Sequence, residues 1–120
     1  MSMFNFASGA TVTHLSASAS QASTVTTSGV DLLDYDSPVL VVQSHGTGTG
    51  TLDGKIQDSA DNSSFADVSG LTFSQSTTTA DVKALVITPK SVRRYIRYVG
   101  TIVTGPQNVA VVVVGMKKSV

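Results

Sequence analysis

Residues Leu52 to Gly70 read LDGKIQDSADNSSFADVSG, and this stretch decides the fold class. Leu52, Gly54 and Ile56 alternate with Asp53, Lys55 and Gln57, the period of two expected of a strand with one buried face. Ser59 to Ser64 gathers Asp, Asn and Ser, whose short polar side chains bond nearby backbone and favour turns. Phe65 and Val68 then restart an apolar strand. The reading is strand, tight polar turn, strand, with nothing suited to catalysis.

Working outward, the same grammar repeats. Gly29 to Tyr35 is apolar enough to enter a core, and Pro38 to Gln43 reads as a strand with its proline at the start, where a missing N–H is tolerated. Ser44 to Gly50 (SHGTGTG) reads as a glycine-rich mobile loop. Downstream, Leu71 to Ser74 extends the second strand, and Thr77 to Asp81 is a polar linker. Val82 to Thr88 is a strand stopped by Pro89, Val92 to Thr104 is a long strand, and Gly105 to Asn108 is a turn. Val109 to Met116 is apolar on both faces, so it either sits centrally or has its second face on a partner. No helical periodicity competes with this pattern. The expectation is an all-β chain: a single antiparallel, jelly-roll-like sandwich of about seven or eight strands over residues 29–120. An extended Ser/Thr-rich arm, residues 1–28, precedes it.

That arm contains no Asp, Glu, Lys or Arg. Two readings fit: a flexible terminus with one weak strand around Ala10 to Leu15, or an arm that pairs with a neighbouring chain. On the second reading, removing Met1 to Ser28 weakens partner binding while the sandwich still folds.

The composition suits this design. At 120 residues the chain makes one domain with a feasible core. It has 17 Ser, 15 Thr and 18 Val, types that fit a pleated surface. It has no cysteine, which excludes disulfide scaffolds and thiolate zinc sites. Eight basic residues balance eight aspartates, and charged residues make up only 13% of the chain, about half the usual share. A surface so poor in charge suits a protein that spends its life bound to something. The start MSMFNFASGA lacks the basic and apolar regions of a secretion signal, and the longest apolar run, Val109 to Val114, is far too short to span a membrane. The expected setting is the cytoplasm or a particle assembled there.

Candidate chemistry is sparse. Gly46, Gly48 and Gly50 lack the following helix that a phosphate loop requires. Asp58, Asp61, Asn62 and Asp67 are oxygen ligands, but their spacing is not that of a calcium loop and the chain has no Glu; turn chemistry accounts for them without a metal. His14 and His45 are the only histidines, and no nucleophile-elbow motif accompanies them. Arg93, Tyr95 and Arg97 share one face of a strand, with Arg94, Ile96 and Tyr98 on the other. Zero net charge argues against nucleic acid, even with Lys117 and Lys118 added, so these arginines are expected to reach carboxylates in this chain or on a partner. No enzyme activity, cofactor or metal is expected.

The segments IQDSADNSSFADVSG, RRYIRYVGTIVTG and the valine-rich strand ending in GMKK resemble the small head decoration, or cement, proteins of tailed bacteriophages. The match lies in Gln57, the Ser59-Ala60-Asp61 turn, Phe65, Asp67-Val68, Gly70 and Arg94-Tyr95-Ile96-Arg97, with GVDLLDYDSPVLVVQS ahead of it, over roughly Gly29 to Lys118. The resemblance implies a jelly-roll-like sandwich on the outside of an icosahedral head, commonly a homotrimer tying major capsid subunits together, with no catalytic residues. The partners expected are the major capsid protein and further copies of the chain, without nucleic acid or membrane, and the location is the virion exterior. Phe4 and Phe6 in the arm and Arg93, Tyr95 and Arg97 on the strand are the candidate partner contacts. Two alternatives stand beside it: a glycan-binding β-sandwich module, disfavoured by the lack of tryptophan, and a tail or connector component with the same fold.

Overall fold

The computed structural model describes residues 10–35 and 37–116. Nine strands run in chain order: β1 Ala10–Gln21, β2 Val25–Thr26, β3 Val30–Asp31, β4 Val39–Gly48, β5 Thr51–Ser59, β6 Ala66–Thr72, β7 Asp81–Ile87, β8 Tyr95–Val103 and β9 Gln107–Met116. One sheet has the order β1-β9-β4-β7 and the other β2-β8-β5-β6, with β3 also on β8. Every pairing is antiparallel. Counting β2 and β3 as one interrupted strand gives eight strands in two four-stranded sheets, the arrangement of a jelly roll. Chain neighbours alternate between the sheets, except across the β5–β6 hairpin, so pairings such as β4 with β9 and β5 with β8 join distant segments.

The alternation read from Leu52 to Gln57 is present. Leu52, Gly54 and Ile56 of β5 face inward, as do Ile96 and Tyr98 of β8; from the opposite sheet Val39 and Val41 of β4 and Val109, Val111 and Val113 of β9 face them. Phe73, Ile87, Leu32 and Tyr35 complete the core. Gly54 and Gly100 are register partners, and the Tyr98 ring fills the space that their missing side chains leave. The Tyr98 hydroxyl donates across the sandwich to Gln43 Oε1 at 2.6 Å. Burial pushes the phenol well above its ordinary pKa, with the Asp53 charge adding to the effect, so it remains a donor.

SHGTGTG is mostly strand rather than loop. β4 continues to Gly48, and only Thr49 and Gly50 turn the chain into the other sheet. Its glycines are required by close neighbours: a side chain at Gly46 would meet Asn108, and one at Gly48 would meet Gln107 and the Pro106 carbonyl. Gly50 has φ +79°, a backbone region that favours glycine. The Thr49 N–H donates to the Pro106 carbonyl at 3.0 Å, joining this corner to the β8–β9 turn. Buried His45 donates through Nε2 to Gln107 Oε1, and Gln107 donates in turn to the Thr49 carbonyl.

The strand expected at Ala10 to Leu15 is present and runs on to Gln21, hydrogen-bonded to β9 of its own chain. β2, also before residue 28, lies on β8, and the Thr27 hydroxyl accepts from the Tyr98 N–H at 3.0 Å. Removing residues 1–28 therefore takes away two strands of the sandwich, whereas removing residues 1–9 leaves all nine in place.

The turn at Ser59 to Ser64 is built as its composition predicts. Asp61 Oδ1 accepts from the Ser63 and Ser64 N–H groups, each at 3.0 Å, and from the Ser59 hydroxyl at 2.8 Å. The Ser64 and Ser63 amides, followed by the Ser59 hydroxyl, hold its carboxyl down at about 2 from an ordinary 3.8. Because the folded pKa is depressed, the turn's contribution is present above the unfolded value and is lost as pH falls through about 2. The Ser63 and Ser64 amide resonances are expected to titrate with a midpoint near 2, and Asp61→Asn should abolish that titration.

Candidate docking surface

The sandwich has two outer faces of opposite chemistry. On the β2-β8-β5-β6 sheet, polar side chains pair with one another. Lys55 is 3.0 Å from Asp67, and Gln57 donates to Asp67 at 2.8 Å. Arg97 donates through Nε to Gln57 Oε1 at 2.8 Å, its guanidinium 4.2 Å from the centre of the Phe65 ring. Gln75 donates to Asp53 at 3.2 Å.

The β1-β9-β4-β7 sheet differs. Its register aligns Val86, Leu40 and Val114 in one row, Ala84, Val42 and Val112 in the next, and Val82, Ser44 and Ala110 in the third. These are the alternate residues of β4, β7 and β9 that do not enter the core, and none is charged. Val82 is 68% exposed and Val86 64%. An antiparallel sheet with a solvated face normally shows polar residues there, and a contiguous apolar patch marks a contact surface. At one end the patch dips into a groove of about 270 Å³, lined by Pro38, Leu40, Val86, Val114 and Met116.

The inversion of β7 exposes much of this face. Val82, Ala84 and Val86 point outward because Lys83 points in and caps the sandwich rim. Its ammonium donates to the Ser74 and Ser76 side of the rim, to the Ser74 carbonyl at 2.9 Å and the Ser76 hydroxyl at 2.9 Å, and lies 3.1 Å from Asp81. An inward charge on an edge strand also discourages edge-to-edge pairing. At the other edge, β1 carries two register shifts against β9, which likewise disrupt a regular ladder.

The candidate contacts proposed from the sequence divide. Phe4 and Phe6, with Lys117 and Lys118, lie outside the described residues. Arg93 is committed within the chain: its guanidinium donates to Asp58 Oδ1 at 2.8 Å, and its backbone N–H donates to Asp58 Oδ2 at 2.9 Å. Burial pushes the Asp58 carboxyl up, and these Arg93 bonds outweigh it, leaving the pKa lowered. Arg94 forms a two-bond fork with Asp31 at 2.9 and 2.7 Å and lies 5.0 Å from the Tyr95 ring centre. Tyr95 and Arg97 share the outer face of β8, and Arg97 is engaged as above. Arg93 and Arg94 thus reach carboxylates of their own chain, one of the two outcomes expected for the arginines, whereas Arg97 bonds the Gln57 amide instead. Asp58, Asp61 and Asp67 serve Arg93, the turn and Lys55, and among the described residues no group of three His, Cys, Asp or Glu is placed to hold a metal. Among the same residues no helix is long and apolar enough to cross a membrane.

Fold and surface together define a jelly-roll-like sandwich with one self-paired polar face and one outer face on which β4, β7 and β9 present no charge. Among solved structures it is similar to the SPBc2 prophage-derived protein YomS, with a TM-score of 0.57 and 16% sequence identity over 88% of this chain and 93% of that one. At that identity the likeness shows the fold. No protein-family model and no curated protein match the chain.

Proposed function

We propose that this chain is a structural, non-enzymatic protein of a tailed-phage particle: a decoration protein that docks on the head exterior and reinforces contacts between major capsid subunits. The observation that carries the reading is the uncharged outer face that β4, β7 and β9 form, set against a polar face on which Lys55 pairs with Asp67 and Arg97 and Asp53 bond the amides of Gln57 and Gln75. A subunit repeated over a lattice needs only modest apolar contact at each site, because many copies add avidity, and binding only the assembled shell stabilises that shell by mass action. The jelly roll, the resemblance in the Gln57 to Gly70 and Arg94 to Arg97 segments, and the prophage origin of YomS support the setting.

The glycan-binding alternative needs exposed aromatics on which sugars stack. Tyr35, Phe73 and Tyr98 are buried, Tyr95 is half-buried beside Arg94, and Phe65 is beside Arg97. The tail or connector alternative uses the same fold and differs in copy number. Quantitative mass spectrometry of purified particles, referenced to the most abundant shell protein, separates these readings. A ratio near one to one is expected. A few copies per particle would move the protein to a neck or tail, and absence from particles would overturn the proposal.

A further inference from the structure

We propose that the cavity beside Tyr35, next to the Pro38 groove, holds a carboxylate side chain, Asp or Glu, carried on an apolar stretch of the protein that covers the uncharged face. This rests on the reading of that face as a docking surface and names the chemistry of its partner at one edge.

Three observations carry it. The first is the lining. The cavity, of about 330 Å³, has Leu32, Leu33 and Val92 as apolar walls, and its two charged lining groups, Lys90 and Arg94, are both cations. Binding cavities are mostly apolar, with a few polar groups that fix orientation. The second is unused donors. Arg94 donates through Nε and Nη2 to Asp31, which holds the guanidinium in place and leaves Nη1 without a partner among the described residues. Lys90 is exposed and forms no ion pair among the same residues. Tyr35, which also lines the cavity, is only 8% exposed, yet its hydroxyl has no hydrogen-bond partner among them; a buried hydroxyl normally has one. A carboxylate is purely an acceptor and suits such donors, and bonds to an ionised group are the stronger kind. Asp31 offsets the Arg94 charge and Asp34 adds a weaker negative field there, so the net attraction comes from Lys90. The third is position. The Tyr35 ring packs against Gly115, where an added β-carbon would lie 2.9 Å from Tyr35 Cε1, and Gly115 lines the Pro38 groove. Groove and cavity thus adjoin at Tyr35, and a segment lying in the groove passes beside the cavity. Apolar contact is non-directional; a charge pair at its edge fixes which way round the partner sits.

The test is zero-length carbodiimide crosslinking of purified particles. The reagent condenses an ammonium with a carboxylate in contact with it, forming an amide and taking up the released water as its urea, and mass spectrometry reads the joined peptides. Lys90 is expected to be joined to an Asp or Glu of another particle protein. Lys90→Gln is expected to weaken particle binding about tenfold, the low end for losing a hydrogen bond to a charged group. Tyr35→Phe keeps the ring on Gly115 and is expected to weaken binding severalfold with an unchanged melting temperature. Lys90 joined only within its own chain, to Asp34 for example, or not joined at all, would overturn the inference. So would a Lys90→Gln variant that binds like the wild type, or a Tyr35→Phe variant that melts lower, since the hydroxyl would then already be paired within the fold. A Val82→Cys thiol on the same particles separates the two readings. If that thiol is protected while Lys90 finds no outside carboxylate, this inference alone fails. If it is unprotected, the docking reading fails and this inference falls with it.

Discussion

Gly54→Val should lower the stability of the sandwich by about 3 kcal/mol or more, the largest effect expected of a single substitution in this chain. A β-carbon at Gly54 would lie 2.7 Å from the Tyr98 hydroxyl and 3.0 Å from its ring carbon, and would also strike Gln43 Oε1. Tyr98 and Gln43 are both fully buried, so neither can swing into solvent. Forcing volume into a packed core costs about 1–3 kcal/mol. Separating the Tyr98 hydroxyl from Gln43 adds about 1–3 kcal/mol, because both polar groups are then buried without partners. Against a typical domain stability of about 5–15 kcal/mol, the sum removes a large fraction. Urea denaturation checks this; a loss below about 1 kcal/mol would mean that the Gly54–Gly100 gap is not what seats the tyrosine.

The second large effect concerns binding. Val82→Lys combined with Ala84→Lys should strip the protein from particles while leaving the fold alone. Both positions are exposed on edge strand β7, where lysine is a residue natural sheets tolerate, so the change in stability should stay within about 0.5 kcal/mol. On the particle the same ammonium groups would be pressed into an uncharged contact, and each unpaired buried charge costs several kcal/mol unless it escapes to water. A loss of about 1.4 kcal/mol per site is already tenfold in affinity. Particles assembled with the variant should carry less than a tenth of the wild-type copies, counted by mass spectrometry. Undiminished occupancy would mean that docking uses another surface.

How far the sequence could be read depended on which neighbours a residue type needs. Leu52, Gly54 and Ile56 announce their strand because their alternation is set within the strand itself, and Ser59 to Ser64 announces its turn because Asp61 bonds residues two and three positions away. The second apolar face of Val109 to Met116 was legible as a partner face or a central position; β9 is central, lying between β1 and β4, and Val112 and Val114 reach the outer surface. The continuation of β4 through Gly46 and Gly48 was hidden, since glycine is weak in strands unless something approaches closely, and here Asn108 and Gln107 do so from a strand sixty residues away in sequence. The length of β1 was hidden for a similar reason. Ser16 to Gln21 alternates only serine with the small alanine, a weak strand signal, and becomes a strand because β9 offers it a ladder. The extent of the uncharged outer face was least legible. In VKALVI the period of two alone does not say which set of side chains faces out; that is decided by Lys83 reaching the Ser74 carbonyl and Ser76 hydroxyl.

On the particle the outer face of the β1-β9-β4-β7 sheet should be covered. The chain has no cysteine, so single cysteines report cleanly. Val82→Cys places a thiol on that face, away from the groove, and Thr101→Cys places one on the exposed outer side of β8. Maleimide labelling rates, measured on the free protein and on purified particles, compare the two. Cys at position 82 should react freely in solution and be protected at least tenfold on the particle, while Cys at position 101 should react equally in both. Equal reactivity at position 82 in both states, or protection at position 101 alone, would contradict it.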